Sequence, residues 1–211
     1  MSIITFPSEF GLQVMGQQFG EQRFDLSFGS GDTGAQQHRV LAPPRWTCGL
    51  TAEQLLEAPA AAAWRRLVLS LQGRVNQLAV SDLLNHVPRG TARGNWVAQS
   101  GALPGAMGMW VAMGGDQVYR TLLEGDWIGV GQDAAGPARQ LLHVQADTAA
   151  DGAGNAYVQF VQPLRIAVQA GAAVVWDRPT CLMRQTGTAR GWSSSQGFQG
   201  GFSLDLMESW E

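Results

Sequence analysis

The stretch MWVAMGGDQVYRTLLEGDWIGV, residues 109–130, decides the class of fold. It holds three short apolar runs, at 109–113, 118–123 and 127–130, separated by Gly114-Gly115-Asp116 and Glu124-Gly125-Asp126. Gly and Asp are turn residues, and runs this short, rich in Val, Ile and Trp, read as strands rather than helices. The same grammar continues toward the C-terminus, with candidate strands at 140–144, 156–162, 172–176, 181–185 and 198–207. Short strands at this spacing predict a mainly β chain, a sandwich or barrel.

Upstream, the period changes. Trp64, Leu67, Val68 and Leu71 fall at i, i+3, i+4 and i+7, while Arg65, Arg66 and Gln72 lie off that stripe. This predicts one amphipathic helix over about 59–72, with Pro59 in its first turn and Gly73 ending it, packed flat on a sheet. Thr51 and Gln54 are placed to cap a short preceding turn. A strand follows within 74–82. Before the helix, Phe24, Leu26 and Phe28 alternate as in a half-buried strand, and 29–34 reads as a Gly-rich loop. Strand pieces at 39–41 and 45–48 flank Pro43-Pro44, a pair that ends a strand or confines it to an edge. The stretch 88–108, rich in Gly, Pro, Arg and Ser, reads as a long loop or arm.

Composition narrows the function classes. Only 15% of the residues are charged, against roughly 25% in an average soluble domain. Every one of the 14 basic residues is Arg, and there are eight Trp. Arg and Trp are the residue types that anchor interfaces, so the chain reads as one that assembles. A net charge of −3 argues against a nucleic-acid binder, which needs a basic patch for phosphates. No run approaches 18 apolar residues, so no membrane-spanning helix is expected, and the N-terminus lacks a signal-peptide pattern.

The chemistry-bearing residues do not converge in sequence. His38, His86 and His143 have no paired metal-ligand spacing, and Cys48 and Cys181 have no redox or zinc spacing. Ser193, Ser194 and Ser195 lack a nucleophile elbow; Glu124 and Asp126 read as turn formers rather than an acid/base pair. Asp32-Thr33-Gly34 occurs once, in a loop, and the Gly-rich stretch around it lacks the ending of a phosphate loop. Asp147 and the loop 151–155 lack the closing Glu of a calcium loop. No catalytic residue, cofactor or metal is expected.

The order of several phrases adds a resemblance. Arg45-Trp46 comes first, then Leu71-Gln72-Gly73-Arg74-Val75-Asn76-Gln77-Leu78 after the helix. Arg89-Gly90-Thr91-Ala92-Arg93-Gly94 comes next, followed by Leu122 to Ile128 with Gly125-Asp126, then Pro163-Leu164-Arg165 and Pro179. Over about 45–185 this series resembles the distal tail or tail-tip structural proteins of long-tailed bacteriophages. Leu78 stands where an aromatic residue is usual in them.

That resemblance implies a tail-tube-like β-sandwich or barrel with one flanking helix. The corresponding organisation is a ring-forming domain of residues 1–88 plus about 180–211, with a β-rich inserted or second domain over 89–179. It further implies a virion protein, a homo-oligomeric ring, commonly a hexamer, with the tail tube and the tip or baseplate hub as partners. Arg89, Arg93, Trp96 and Trp110 are the contact candidates. Alternatives are a tail-tube or baseplate hub protein, or a carbohydrate-binding β-sandwich that stacks exposed Trp on sugar rings.

Overall fold

Two six-stranded sheets carry the chain. The computed structural model describes residues 2–6, 12–29, 31, 34–134, 136–187, 191–195 and 198–210. The first sheet runs in the order β1 (Ile3–Thr5), β4 (Gln77–Val80), β13 (Cys181–Gln185), β16 (Ser203–Glu208), β3 (Gln36–Ala52) and β2 (Val14–Gly29). The second runs β11 (Asn155–Gln159), β6 (Gly108–Ala112), β5 (Trp96–Ala98), β12 (Ala173–Val175), β8 (Trp127–Val130) and β9 (Gln140–His143). Only the β1–β4 pairing is parallel among the pairs of these two sheets. Two two-stranded ribbons complete the set: β7 (Thr121–Leu122) with β10 (Thr148–Ala149), and β14 (Ser193–Ser195) with β15 (Phe198–Gly200). The chain is mainly β, with one helix of more than a turn among the described residues.

That helix, α1 (Ala58–Ser70), lies where the apolar stripe predicts it. Ala60, Ala61, Trp64 and Leu67 are buried, and Trp64 stacks on Phe202, ring centroids 5.9 Å apart. Gln72 and Gly73 turn left-handed at φ 48° and 66°, which stops the helix. Asn76 Nδ2 then donates to the Ser70 carbonyl at 2.8 Å, satisfying an end that has no further turn. The short capped turn expected at Thr51 does not form. Thr51 instead pairs with Ser203 and Gly16 inside β3, whose alternate residues Trp46, Cys48, Leu50 and Ala52 are buried, so the strand period prevails there.

The strand β3 also runs straight through Pro43 and Pro44. Its pairing with β16 covers only Thr47 to Thr51, and its register with β2 slips between Gln22 and Asp25. The prolines thus sit on a single-sided, bulged stretch where missing N–H groups cost little.

Each sheet has its own core. Leu50, Trp64, Leu78, Val80, Met183 and Leu204 belong to the first, and Trp96, Val111, Ile128, Val158 and Phe160 to the second. The joint between them is aromatic. Trp127 and Leu141, from the second sheet, pack into the first core, and Trp46 meets Trp127 edge-on at 4.9 Å. Phe19 joins both rings, and Trp127 Nε1 donates to Asp82 Oδ2 at 3.1 Å.

Candidate assembly surfaces

The longest element is the hairpin of β2 and β3, 16 and 17 residues. Its inner half is part of the first sheet; its outer half, residues 22–29 against 36–45, is paired only within itself among the described residues. Phe24, Leu26 and Phe28 alternate as the sequence predicts, and Phe24 is half-buried, but farther out the face is not covered: Leu26 is 42% and Phe28 55% exposed. Leu26 stands opposite Arg39, and Leu41, the extra residue at the bulge between Val40 and Ala42, is 60% exposed. Val40, opposite Asp25 on the face away from Leu26, is 74% exposed. A bare two-stranded ribbon is marginal in water, and covering each such side chain would contribute up to about 1.5–3 kcal/mol. Val40 and Leu41 are missing from the sequence-based candidates, although alternation on both sides of a Gly-rich loop is a hairpin signal.

The loop carrying Arg89 and Arg93 is pinned, not an arm. Asp126 is buried and accepts the backbone N–H groups of Arg89 at 2.8 Å, Gly90 at 3.3 Å and Leu123 at 2.8 Å. Gly90 passes so close to Thr121 that a Cβ there would lie 2.2 Å from its carbonyl oxygen. Further on, Ala92 N bonds Thr121 O, Ala98 N bonds Ala172 O, and Gly105 N bonds Leu164 O, at 2.9, 2.8 and 2.7 Å. These ladders, with β5 in the middle, hold the stretch expected to be a long loop or arm.

The four contact candidates separate accordingly. Arg89 is exposed, its guanidinium near Asp126 at 3.7 Å and donating to the Glu124 carbonyl. Arg93 is half-buried, and its guanidinium donates to the carbonyls of Pro88, Gly90 and Ala92, so it staples its own loop rather than facing outward. Trp96 is a core residue, 2% exposed, its indole N–H donating to Arg93 O at 2.7 Å; small neighbours such as Ala92 and Ala98 leave it room inside. Trp110 is 44% exposed and lies 5.4 Å from Tyr157, itself 42% exposed and its register partner on β11. Val97, Leu103 and Met107 are further exposed apolar residues of this part of the chain. Tyr157 is another surface residue that the sequence did not single out.

The groups weighed for chemistry stand apart. Asp126 is enclosed by backbone donors, whereas Glu124 is exposed and its N–H bonds Asp147 Oδ1 at 2.7 Å. Asp151 Oδ1 accepts from Ala153 N and Asn155 N at 2.8 and 2.9 Å; these backbone bonds hold its carboxyl below the usual range and make it a turn former. His86 Nδ1 meets Leu83 O at 2.9 Å, His38 lies on the hairpin, and His143 lies edge-on to Trp127 at 4.6 Å. Burial pushes the His143 imidazole below its ordinary value. Burial also pushes the Cys48 thiol up to about 12 and the Cys181 thiol upward. Asp32 and Thr33 lie outside the described residues, and no three metal-ligating side chains cluster among those described. Among the described residues, no helix is long and apolar enough to cross a membrane. No protein-family model matches the sequence, and no curated protein matches it either.

Proposed function

We propose that this chain is a structural subunit at the distal end of a long bacteriophage tail. It forms a ring of six copies that joins the tail tube to the tip or baseplate hub, and it acts by assembly rather than by catalysis. The observation that carries this reading is the outer half of the β2–β3 hairpin. Among the described residues it is a ribbon paired only with itself that leaves Leu26, Phe28, Val40 and Leu41 in water. Exposed apolar side chains grouped on one projecting element mark a contact with another chain. The ordered series of phrases from Arg45-Trp46 to Pro179 supplies the choice of assembly. Negative-stain microscopy of the purified chain tests it: six-fold rings are expected, and a field of separate monomers overturns it.

The exposed Trp110–Tyr157 pair favours a second reading, a glycan-binding face on the second sheet. Under that reading the chain remains monomeric and is retained by a column of host-surface polysaccharide, and Trp110→Ala releases it.

A further inference from the structure

A cleft of about 280 Å³ opens between the C-terminal ends of β13 and β16 in the first sheet, and three arginines line it: Arg45, Arg74 and Arg184. In a chain of net charge −3 with 14 basic residues, that is a local concentration of positive charge. Among the described residues, the one carboxylate in the lining, Glu208, is already engaged: Arg165 holds it at 2.8 Å and Trp46 N donates to it at 3.1 Å. Among the described residues, neither Arg45 nor Arg74 forms an ion pair. The Arg45 guanidinium instead stacks on the Trp210 ring at 4.4 Å, and Arg165 stacks on the same ring at 4.9 Å.

Two donors in this wall are buried without an acceptor among the described residues, Arg45 Nε and Trp210 Nε1. Buried donors in native proteins are almost always satisfied, so their common neighbourhood calls for an acceptor from outside. The planar fork of Arg matches the oxygens of carboxylate and phosphate, and an acceptor that carries charge makes the stronger bond. Arg74, donating to the Thr186 carbonyl at the rim, keeps its side chain over the cleft while its remaining N–H groups stay available.

We infer that this cleft is an oxyanion site, which takes one phosphate or carboxylate group through Arg45, Arg74 and the Trp210 indole. A free phosphate compound and an acidic side chain of another protein present the same chemistry, and two titrations separate them. Calorimetric titration of the full chain with inorganic phosphate, and separately with N-acetylglutamate, is run at matched ionic strength. The expected result is saturable one-site binding in at least one series. Saturation by phosphate alone identifies a phosphate ligand, and saturation by N-acetylglutamate identifies a protein carboxylate. Binding weakens at least ten-fold in Arg45→Gln and in Arg74→Gln; Arg74 is an exposed rim residue, so its variant stays folded. No saturable heat in either series, or unchanged binding in both variants, overturns the site.

Discussion

The indole N–H of Trp46 donates to the carbonyl of Leu141 at 2.9 Å, a bond between residues 95 positions apart that ties β3 of the first sheet to β9 of the second. Trp46 is 7% exposed and also meets Phe19 and Trp127. Trp46→Phe keeps an aromatic ring but strands the Leu141 carbonyl, and should cost about 1–3 kcal/mol. Trp46→Ala empties the joint as well and should cost about 3–5 kcal/mol. Urea unfolding reads both. Equal midpoints for the two variants and the parent would mean that the joint contributes nothing.

The carboxylate of Asp126 organises the Arg89-Gly90 loop through three backbone N–H groups, whereas its ion pair involves an Arg89 side chain that is 60% exposed. Removing the buried acceptor and removing the exposed cation therefore differ. Asp126→Ala should cost about 2–4 kcal/mol. Arg89→Ala should cost less than about 1 kcal/mol, because solvent screens the pair. The two thermal midpoints, measured side by side, check the order; a larger loss in Arg89→Ala would reverse the assignment.

Burial against Trp127 holds the His143 imidazole below its ordinary value of 6.5. Between that value and its lower folded one, the unfolded chain binds a proton that the folded chain resists. Stability from this group is therefore complete above pH 6.5 and is lost as the pH falls through that window. His143→Gln should flatten the decline of stability on the acid side, above the range where carboxylates titrate. Denaturant midpoints at a series of pH values show this, and parallel curves for parent and variant would count against it.

Cys48 and Cys181 are free and buried, with both thiols pushed upward by burial. The thiolate is the reactive form, so neither should react with a disulfide reagent at pH 8 in the folded protein. Both should react at once in urea. Rapid release of one equivalent from the native chain would show that one thiol is open.

The helix was legible because Trp64, Leu67 and Leu71 must all face one layer at helical spacing, and they are at most 2% exposed. The strands at Trp127–Val130 and Cys181–Gln185 were legible to the residue, since turn residues bracket compact apolar runs. What alternation does not say is whether a second layer exists to cover the face. Phe24, Leu26 and Phe28 carry the pattern of a buried strand, yet belong to a ribbon that outruns its sheet. Trp96 fails in the opposite direction: its polar, Gly-rich surroundings suggest a surface, but β6 and β12 flank it and enclose it. Those pairings, like the Arg45–Trp210 stack across 165 positions of chain, are set by non-local contacts that no local period encodes.

The account rests on the outer hairpin as an assembly element, and light scattering coupled to size exclusion tests that most directly. The parent should elute at six times 22.6 kDa, and the triple variant Phe28→Ser, Val40→Ser, Leu41→Ser should elute as a folded 22.6 kDa monomer. A parent that stays at 22.6 kDa across all concentrations, or a triple variant that assembles as the parent does, would contradict it.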